Sequence, residues 1–464
     1  MSEEFKKAKQ IRIGTGAGYA GDRIEPAIEL ARDGNLDYLV FECLAERTIA
    51  LAQQERLAFP DRGYTPLLGA RMRGVLPYMF DEGGRRQFRI ITNMGASNPV
   101  AAARLVASIA QELGLPSVRI ATVLGDDVYS QVKSDSANML DIGVHPVSLG
   151  ERLISANAYL GADGIVQALE QGADIVITGR VADPSLFVAP QVFEFGYAWD
   201  DWEVLGKATV VGHLMECSGQ VTGGYFADPT VKDVAGLARL GFPIAEITAD
   251  GEVVITKVPG SGGEVNIHTC AEQLLYEVHD PSHYLTPDVT ADFTSVRFES
   301  VGDDRVQVIG GGGRQGPSHY KVSLGYNDGF IGEGQISYGG PGALERAQLA
   351  QKILLERMQF NGIQSDEYRA DIIGTSALYG AELSGLADNG GPMPNLPEAR
   401  VRLVGRCASK EDAVGIGNEV ESLYTTGPAS GGGVHKSVKE VLAIASLLLP
   451  RDAVKVSITL EESK

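Results

Sequence analysis

The architecture of the chain follows from one early segment, Ile11-Arg12-Ile13-Gly14-Thr15-Gly16-Ala17-Gly18-Tyr19-Ala20-Gly21. Its first five residues are typical of a buried β-strand, and the glycines that follow have the spacing G-x-G-x-x-G. A helical pattern begins at Ile24. A glycine turn between a strand and a helix lets the backbone approach a ligand, toward which the free N–H groups at the helix start point. The segment therefore predicts a βα unit with a ligand-binding turn.

The following strand leaves the nature of that ligand open. Residues 38–41 form an apolar run that ends at Glu42, 42 − 21 = 21 residues after Gly21. A dinucleotide-binding fold places its ribose-binding acid at about this distance. Asp22, however, follows the third glycine directly, where its charge would repel a pyrophosphate. Three interpretations of residues 16–22 remain: an active-site loop with Asp22 as a base, a plain helix entrance, and a dinucleotide site.

Strand and helix patterns alternate through the first two hundred or so residues. We predict strands over 88–92, 118–123 and 173–178, and helices over 44–57, 100–113 and 164–172. Repeated βα units form a parallel sheet flanked by helices, and ligands bind beyond the carboxyl ends of its strands. Polar residues stand at these predicted ends: Glu42, Asn93, Asp126, Asp127, Arg180 and Asp183.

The rest of the chain predicts two further regions. The middle third alternates like antiparallel strands, at 252–257, 293–298 and 305–309. Near the C-terminus we expect strands over 370–376, 398–404 and 453–460 and helices over 410–424 and 435–448. The predicted fold class is α/β, a largely parallel sheet flanked by helices, with an antiparallel middle section and a C-terminal α+β domain. The expected domains are 1–364 and 365–464.

Composition narrows the function classes. The formal net charge of −20 argues against nucleic acid as a partner, because phosphates need a basic face. Scattered cysteines and the lack of a long apolar run favour a cytoplasmic protein that does not bind membranes. We also expect a homo-oligomer. A local cluster of arginines can still attract an anion, although the net charge of the protein is negative. Four arginines form either such an anion-steering edge or a solvated basic loop: Arg71, Arg73, Arg85 and Arg86.

Three longer segments are similar to the acyclic terpene utilisation (AtuA-like) protein family: Ala156-Asn157-Ala158-Tyr159-Leu160-Gly161-Ala162, residues 172–183 and residues 213–224. The resemblance spans nearly the whole chain. It implies a large α/β domain, often followed by a ferredoxin-like tail. It also implies a role in the catabolism of branched acids that are handled as CoA thioesters. The resemblance carries no catalytic residues across, so the roles of residues are argued from their chemistry.

The strand-end residues match the needs of one reaction type. Hydration or dehydration beside a thioester carbonyl needs a general acid or base and donors for the developing enolate oxygen. Asp126 and Asp127 are paired carboxylates, and Arg180 offers a bidentate fork for a carboxylate or phosphate. Glycine turns at 16–21 and 223–224 offer backbone N–H donors. The alternatives are a helix cap for the aspartates and a structural salt bridge between Arg180 and Asp183.

A second candidate group is His213, Glu216 and Cys217. The histidine and glutamate share one face if the segment is helical. The group lacks the second histidine of a zinc motif, so a polar active-site role and an ordinary core histidine compete with zinc. Cys217 would need a base and a lowered pKa to act as a nucleophile. We predict no metal and no cofactor.

The candidate residues follow from these arguments. The predicted catalytic residues are Asp22, Glu42, Asp126, Asp127, His213 and Glu216. The predicted substrate-binding residues are Gly16, Gly18, Gly21, Asn93, Arg180, Asp183, Thr222 and Gly223. The predicted function is a cofactor-free acid–base hydratase, dehydratase or isomerase acting on a branched carboxylate or acyl-CoA. Two alternatives are an NAD- or FAD-dependent oxidoreductase and a non-catalytic subunit of an acyl-CoA-processing complex.

Overall fold

The computed structural model describes residues 9–134, 137–380 and 396–463. They divide into two compact units, the first comprising Met1–Gly325 with Ile444–Lys464 and the second comprising Tyr326–Ala443. The predicted division at 364/365 differs from these units, because the last strand of the chain returns to the sheet of the first unit. No helix among the described residues is both long enough and apolar enough to cross a membrane.

In chain order the strands are β1 (Gln10–Ala17), β2 (Tyr38–Phe41), β3 (Arg89–Thr92), β4 (Arg119–Leu124), β5 (Leu153–Ala158), β6 (Ile175–Thr178), β7 (Pro243–Thr248), β8 (Val253–Lys257), β9 (Tyr284–Leu285), β10 (Thr290–Asp292), β11 (Arg297–Gly302), β12 (Arg305–Ile309), β13 (Gly312–Arg314), β14 (His319–Gly339), β15 (Glu367–Ile373), β16 (Glu398–Cys407), β17 (Gly431–Pro450) and β18 (Ser457–Glu462). The helices are α1 (Glu25–Asp33), α2 (Glu46–Ala58), α3 (Leu68–Val75), α4 (Pro99–Glu112), α5 (Tyr129–Ser134), α6 (Asp163–Glu170), α7 (Ser185–Phe195), α8 (Trp202–Glu216), α9 (Ile267–Leu275), α10 (Ala343–Arg357) and α11 (Lys410–Thr426).

The first unit is built on a ten-stranded sheet with the order β11-β12-β8-β7-β1-β2-β3-β6-β4-β18. Its centre, β1-β2-β3-β6-β4, is parallel, and the strands on both sides of this centre are antiparallel to their neighbours. Every residue of β2 and of β6 is buried, as a parallel strand covered on both faces requires. The predicted α/β class, with a largely parallel sheet and antiparallel parts, is confirmed.

Local sequence signals explain where the helices of this unit begin. Helix α4 starts at Pro99, where the missing N–H costs nothing, and the Asn98 side chain accepts a hydrogen bond from the Ala101 N–H at 3.3 Å. Helix α1 also has a proline, Pro26, in its first turn. These starts place the carboxyl ends of the parallel strands at one edge of the sheet, where the following loops meet.

The second unit has the element order β14-α10-β15-β16-α11-β17 and the sheet order β15-β16-β14-β17. This β-α-β-β-α-β arrangement is that of a ferredoxin-like fold. One face of the sheet and both helices bury a common apolar core, which includes Ile336, Val401, Leu403, Leu354 and Val420.

Several predicted elements of the C-terminal third are different in the structure. The helix expected over 435–448 is wrong, because this segment lies in β17, where Ala445, Leu447 and Leu449 are buried at strand spacing. The strand expected over 453–460 is β18, which pairs with β4 in the first unit. Of the strand expected over 293–298, only the end belongs to β11.

Candidate functional site

A cleft of about 810 Å³ lies at the carboxyl ends of β1, β2 and β6, entirely within the first unit. Its wall is unusually rich in charge. The acidic residues in the wall are Asp22, Glu42, Glu46, Asp183, Glu216 and Glu277, and the basic residues are Arg23, Arg180 and Lys321. The carboxyl ends of a parallel sheet are where α/β proteins bind ligands, so this cleft is the candidate site.

Some of the predicted site residues meet in this cleft and others lie outside it. The predicted residues in the wall are Gly18, Asp22, Glu42, Arg180, Asp183 and Glu216. The predicted residues outside the described wall are Gly16, Gly21, Asn93, Asp126, Asp127, His213, Thr222 and Gly223. Four of the second group nevertheless form hydrogen bonds with residues of the wall: Asn93, Asp126, His213 and Thr222.

The glycine segment does not form the turn of a dinucleotide fold. Gly16 lies inside β1, and α1 begins only at Glu25, so no glycine turn leads directly into a helix N-terminus. Gly18 is needed for a different reason, because a Cβ there would lie 2.5 Å from the Glu216 carbonyl oxygen. The Gly18 N–H donates to Asp22 Oδ2 at 2.8 Å and closes the loop. Burial raises the pKa of Asp22.

Arg71 supports this loop from inside the protein. Its fully buried guanidinium donates to the carbonyl oxygens of Tyr19, Ala20 and Asp22 at 3.3, 3.2 and 3.1 Å. The expectation of an anion-steering edge is therefore wrong for Arg71. The other three arginines of that segment each form an ion pair: Arg73 with Glu112, Arg85 with Asp81 and Arg86 with Asp174.

Arg180 is the central cation of the cleft. It is 2% exposed, and its Nη2 lies 3.0 Å from Asp183 Oδ1 while Nη1 donates to the Leu44 carbonyl oxygen. Its guanidinium carbon lies 4.1 Å from the centre of the Tyr159 ring. These contacts hold a buried charge in one geometry, and the ion pair with Asp183 is the salt bridge that the sequence analysis gave as the alternative to anion binding.

Asp126 positions Arg180 and does not reach the cleft. Its Oδ2 accepts hydrogen bonds from the Arg180 backbone N–H and from Asn157 Nδ2, both at 2.9 Å. Gly179 allows this approach, because a Cβ there would lie 2.5 Å from Asp126 Oδ2. Burial raises the pKa of Asp126 to about 6. The Asp127 carboxylate also raises the pKa of Asp126. Asp127 itself is exposed, and its Oδ1 accepts a hydrogen bond from the Tyr129 N–H at 3.2 Å.

Glu42 is buried and is held from behind. Its Oε1 accepts hydrogen bonds from the Leu44 N–H at 2.8 Å and from Asn93 Nδ2 at 2.9 Å. Burial raises the pKa of Glu42 well above its usual range, and the neighbouring Asp183 carboxylate raises it further. Asn93 is thus a positioning residue.

His213 and Glu216 form a buried hydrogen-bonded pair. His213 Nε2 lies 3.2 Å from the Leu274 carbonyl oxygen, which only accepts, so Nε2 carries a proton. Burial lowers the pKa of His213 to about 4, so the ring is neutral and Nδ1 is an acceptor. Glu216 Oε1 lies 2.8 Å from Nδ1 and must donate. Burial raises the pKa of Glu216 well above its usual range, which agrees with a neutral carboxylic acid.

The zinc interpretation finds no support in this pair. Among the described residues, no group of three or more histidine, cysteine, aspartate or glutamate side chains is arranged to hold a metal ion. The His213 ring packs against Tyr284 and Phe293, with ring centres 5.1 and 5.4 Å away. Burial raises the pKa of the Cys217 thiol, which disfavours a thiolate nucleophile.

Residues 219–224 form local structure beside the cleft. Thr222 Oγ1 donates to the carbonyl oxygens of Gly219 and Gly241, at 3.1 and 2.7 Å. Gly223 follows with a positive φ of 101°. Thr222 and Gly223 therefore shape the loop whose residues Gly219 and Gly224 line the wall.

The sequence analysis did not select three residues at the rim of the cleft, Glu46, Tyr159 and Lys321. The Tyr159 hydroxyl donates to Glu46, and Lys321 Nζ lies 3.2 Å from Glu46 Oε1. Lys321 Nζ also lies 4.8 Å from the centre of the Tyr159 ring. Glu46 could have been found, because it follows the end of β2 closely. Tyr159 and Lys321 come together through the pairing of β5 with β14, which carries no local signal.

The protein has an α/β fold, and its candidate site is a charged, partly desolvated cleft. The model of one family, described as acyclic terpene utilisation family protein AtuA, matches residues 11–460. The chain therefore belongs to this family, whose description connects it with the utilisation of acyclic terpenes, a catabolic role. A search of curated proteins and a search of solved structures each found no match.

Proposed function

We propose that the protein is a cofactor-free enzyme that adds water to, or removes it from, a branched, α,β-unsaturated carboxylate or its CoA thioester. The observation that supports this proposal is the meeting of two buried carboxyl groups, Glu42 and Glu216, and the partly exposed Asp183 with one buried guanidinium. Glu42, Asp183 and Glu216 all have raised pKa values, and burial is the main cause for each. Groups of this kind at one cleft are typical of acid–base catalysis.

Two of these carboxyl groups suit opposite roles. Glu216 is the acid, because its bond to neutral His213 requires that it carry a proton. Asp183 is the base, because the adjacent Arg180 charge counters the effect of burial on its pKa. In hydration, Asp183 takes a proton from water, the water oxygen bonds to the β-carbon, and Glu216 gives a proton to the α-carbon. Proton exchange with solvent then restores both groups, and the reverse sequence is dehydration.

Two positively charged side chains, Arg180 and Lys321, would bind the carboxylate or carbonyl oxygen of the substrate. Arg180 Nε is buried and has no hydrogen-bond partner among the described residues, so one donor of this fixed guanidinium is available to a ligand. Lys321 adds a positive charge at the rim. Fixed positive charge in a desolvated cleft stabilises the enolate that develops during water addition.

The test is turnover by the purified protein of a panel of branched 2-enoic acids and their CoA thioesters in isotopically labelled water. We expect a product that carries one labelled oxygen, formed without any nicotinamide or flavin. Glu216→Gln should lower kcat by about 10²–10⁴-fold, the usual contribution of a general acid. Melting curves of each variant establish that it is folded.

Glu170→Gln is the matched control, because Glu170 is an exposed glutamate of the same unit. It should keep the kcat of the original protein. Three results would each contradict the proposal: no product from any substrate, turnover that requires a nicotinamide, or a folded Glu216→Gln variant with full activity. The homo-oligomer expected from the sequence stays a prediction, which sedimentation can measure.

A further inference from the structure

A second recess of about 460 Å³ adjoins the charged cleft in the first unit. Tyr159, Asp183 and Lys321 line both spaces, so the recess opens where Arg180 and Lys321 place their positive charges. Apart from these shared residues, its wall is mainly apolar. Its apolar residues include Ala182, Pro184, Leu285, Pro287, Pro317 and Leu448.

We propose that this recess binds the hydrocarbon chain of the substrate while the charged cleft holds its carboxylate or thioester carbonyl. The inference rests on the proposed function for the identity of the head group. The recess continues from the shared residues, so one extended molecule reaches both spaces. Its volume is within the roughly 300–1,000 Å³ of small-molecule pockets. The substrate class is therefore an amphiphilic carboxylate with an extended apolar chain.

Hydrogen bonds within the protein hold the wall of the recess in place, so its shape does not depend on contacts with a ligand. Arg451 Nη1 donates to the carbonyl oxygens of both Pro287 and Pro317, at 2.7 and 3.2 Å. Buried Asp288 accepts from the Ala162 N–H at 2.8 Å and from Ser185 Oγ at 2.5 Å. These bonds join the loops before β10 and β14 to the starts of α6 and α7. A preformed wall lowers the entropic cost of binding a flexible chain.

Two leucines of the wall present apolar surface that a chain would cover. Leu285 is 67% exposed and Leu448 is 45% exposed. Because both are accessible, each can be replaced by a polar residue with little effect on folding. Removing apolar area from water stabilises a complex by about 0.8 kcal/mol for each fully buried methylene, which is about fourfold in affinity.

The test is calorimetric binding of saturated, unreactive carboxylates that increase in length from butanoate to decanoate. We expect the dissociation constant to fall by about two- to fourfold per methylene until the recess is filled. Leu285→Ser and Leu448→Ser should each weaken decanoate binding by about three- to tenfold and change butanoate binding by less than about twofold.

Two further variants separate this recess from other apolar surface. Leu57→Ser is the matched control, because Leu57 is also 67% exposed and lies outside both spaces, so it should leave both affinities unchanged. Leu237→Ser changes an apolar residue of the charged cleft itself. If Leu237→Ser reduces the chain-length dependence and Leu285→Ser does not, the chain lies in the cleft and the inference is overturned.

The outcomes also separate this inference from the proposed function. Affinity that does not depend on chain length, or equal losses for butanoate and decanoate in Leu285→Ser, would overturn the recess as a chain-binding site. The binding assay involves no reaction, so absent turnover with an intact chain-length dependence would overturn only the hydratase proposal.

Discussion

The charged cleft has a floor, formed by Glu42, Asp183 and Glu216, and a rim, formed by Glu46, Tyr159 and Lys321. The pKa values of the carboxyl groups shift in opposite directions in these two regions. On the floor, burial raises the pKa of Glu42 and of Glu216 well above the usual range. At the rim, burial acts on Glu46 in the same direction, but the Arg180 charge, the Tyr159 hydroxyl and the Lys321 charge lower its pKa to about 2. The same residue type therefore has a raised pKa on the floor and a lowered pKa at the rim.

The difference comes from the number of positive partners and not from burial alone. Arg180 lies between the two regions and offsets part of the negative charge in each. The floor has more carboxyl groups than cations, and their mutual repulsion adds to the effect of burial in raising their pKa values. At the rim, Lys321 and Arg180 both flank the Tyr159 ring and balance Glu46. Under the proposed function, we expect acid–base chemistry at the floor and orientation of the substrate at the rim.

The largest expected effect contrasts one variant of each region. Asp183→Asn removes the proposed base and should lower kcat by about 10²–10⁴-fold, whereas Glu46→Gln should lower it by less than about tenfold. Steady-state kinetics of both variants measure the contrast. Similar losses in the two variants would remove the distinction between floor and rim.

A smaller effect concerns the pH dependence of stability at Asp126, which is buried behind the floor. Its folded pKa of about 6 lies above the ordinary value of 3.8, so its contribution to stability is present below the ordinary value and is lost as the pH rises through about 6. The change in the free energy of unfolding is about 2 kcal/mol between pH 4 and pH 7. Asp126→Asn should flatten the unfolding free energy over this range.

Urea unfolding at several pH values measures this slope. Asp200→Asn is the control, because the Asp200 side chain is exposed and its charge is not among those that shift the pKa of Asp126, so the slope should stay unchanged. For Glu46 we expect stability to change with pH in the opposite direction and at lower pH. Its lowered pKa contributes stability that is lost as the pH falls toward about 2. An Asp126→Asn variant with the original slope would show that burial does not control this group.

The smallest effect is expected at the rim cation. Lys321→Met should raise KM by about tenfold, the value of one charge-assisted contact, and leave kcat within about threefold. Lys207→Met is the control, because Lys207 also forms an ion pair with a glutamate, at 3.1 Å, but lies outside the cleft. A loss in kcat with an unchanged KM would place Lys321 in the chemical step and not in orientation.

Local sequence patterns were sufficient to predict the parallel strands of the first unit. The strands that end at Glu42, Asn93 and Arg180 are short apolar runs followed by polar residues, and their carboxyl ends converge as such runs predict. The same reasoning could not distinguish a residue in the wall from one behind it. Asp126 and Asn93 also stand at strand ends, but their side chains bind Arg180 and Glu42 and do not reach the cleft.

The secondary-structure prediction was wrong where pairing between distant strands competes with the local preference for a helix. The segment 435–448 is rich in residues that favour helices, yet it forms β17 because its alternate side chains enter a core made by other elements. The prediction of domains 1–364 and 365–464 assumed a single boundary, whereas the compact units divide the chain at 325/326 and at 443/444, and β18 pairs with β4 of the first unit.

By itself, the sequence determined the α/β class, the parallel strands and the polar residues at their ends, because hydrophobic periodicity acts over a few residues at a time. Only the tertiary structure decided which of those residues share a cleft, which carry a proton, and that Tyr159 and Lys321 join Glu46 at its rim. Those properties depend on burial and on distances between charges, and both are set by contacts between residues far apart in the chain.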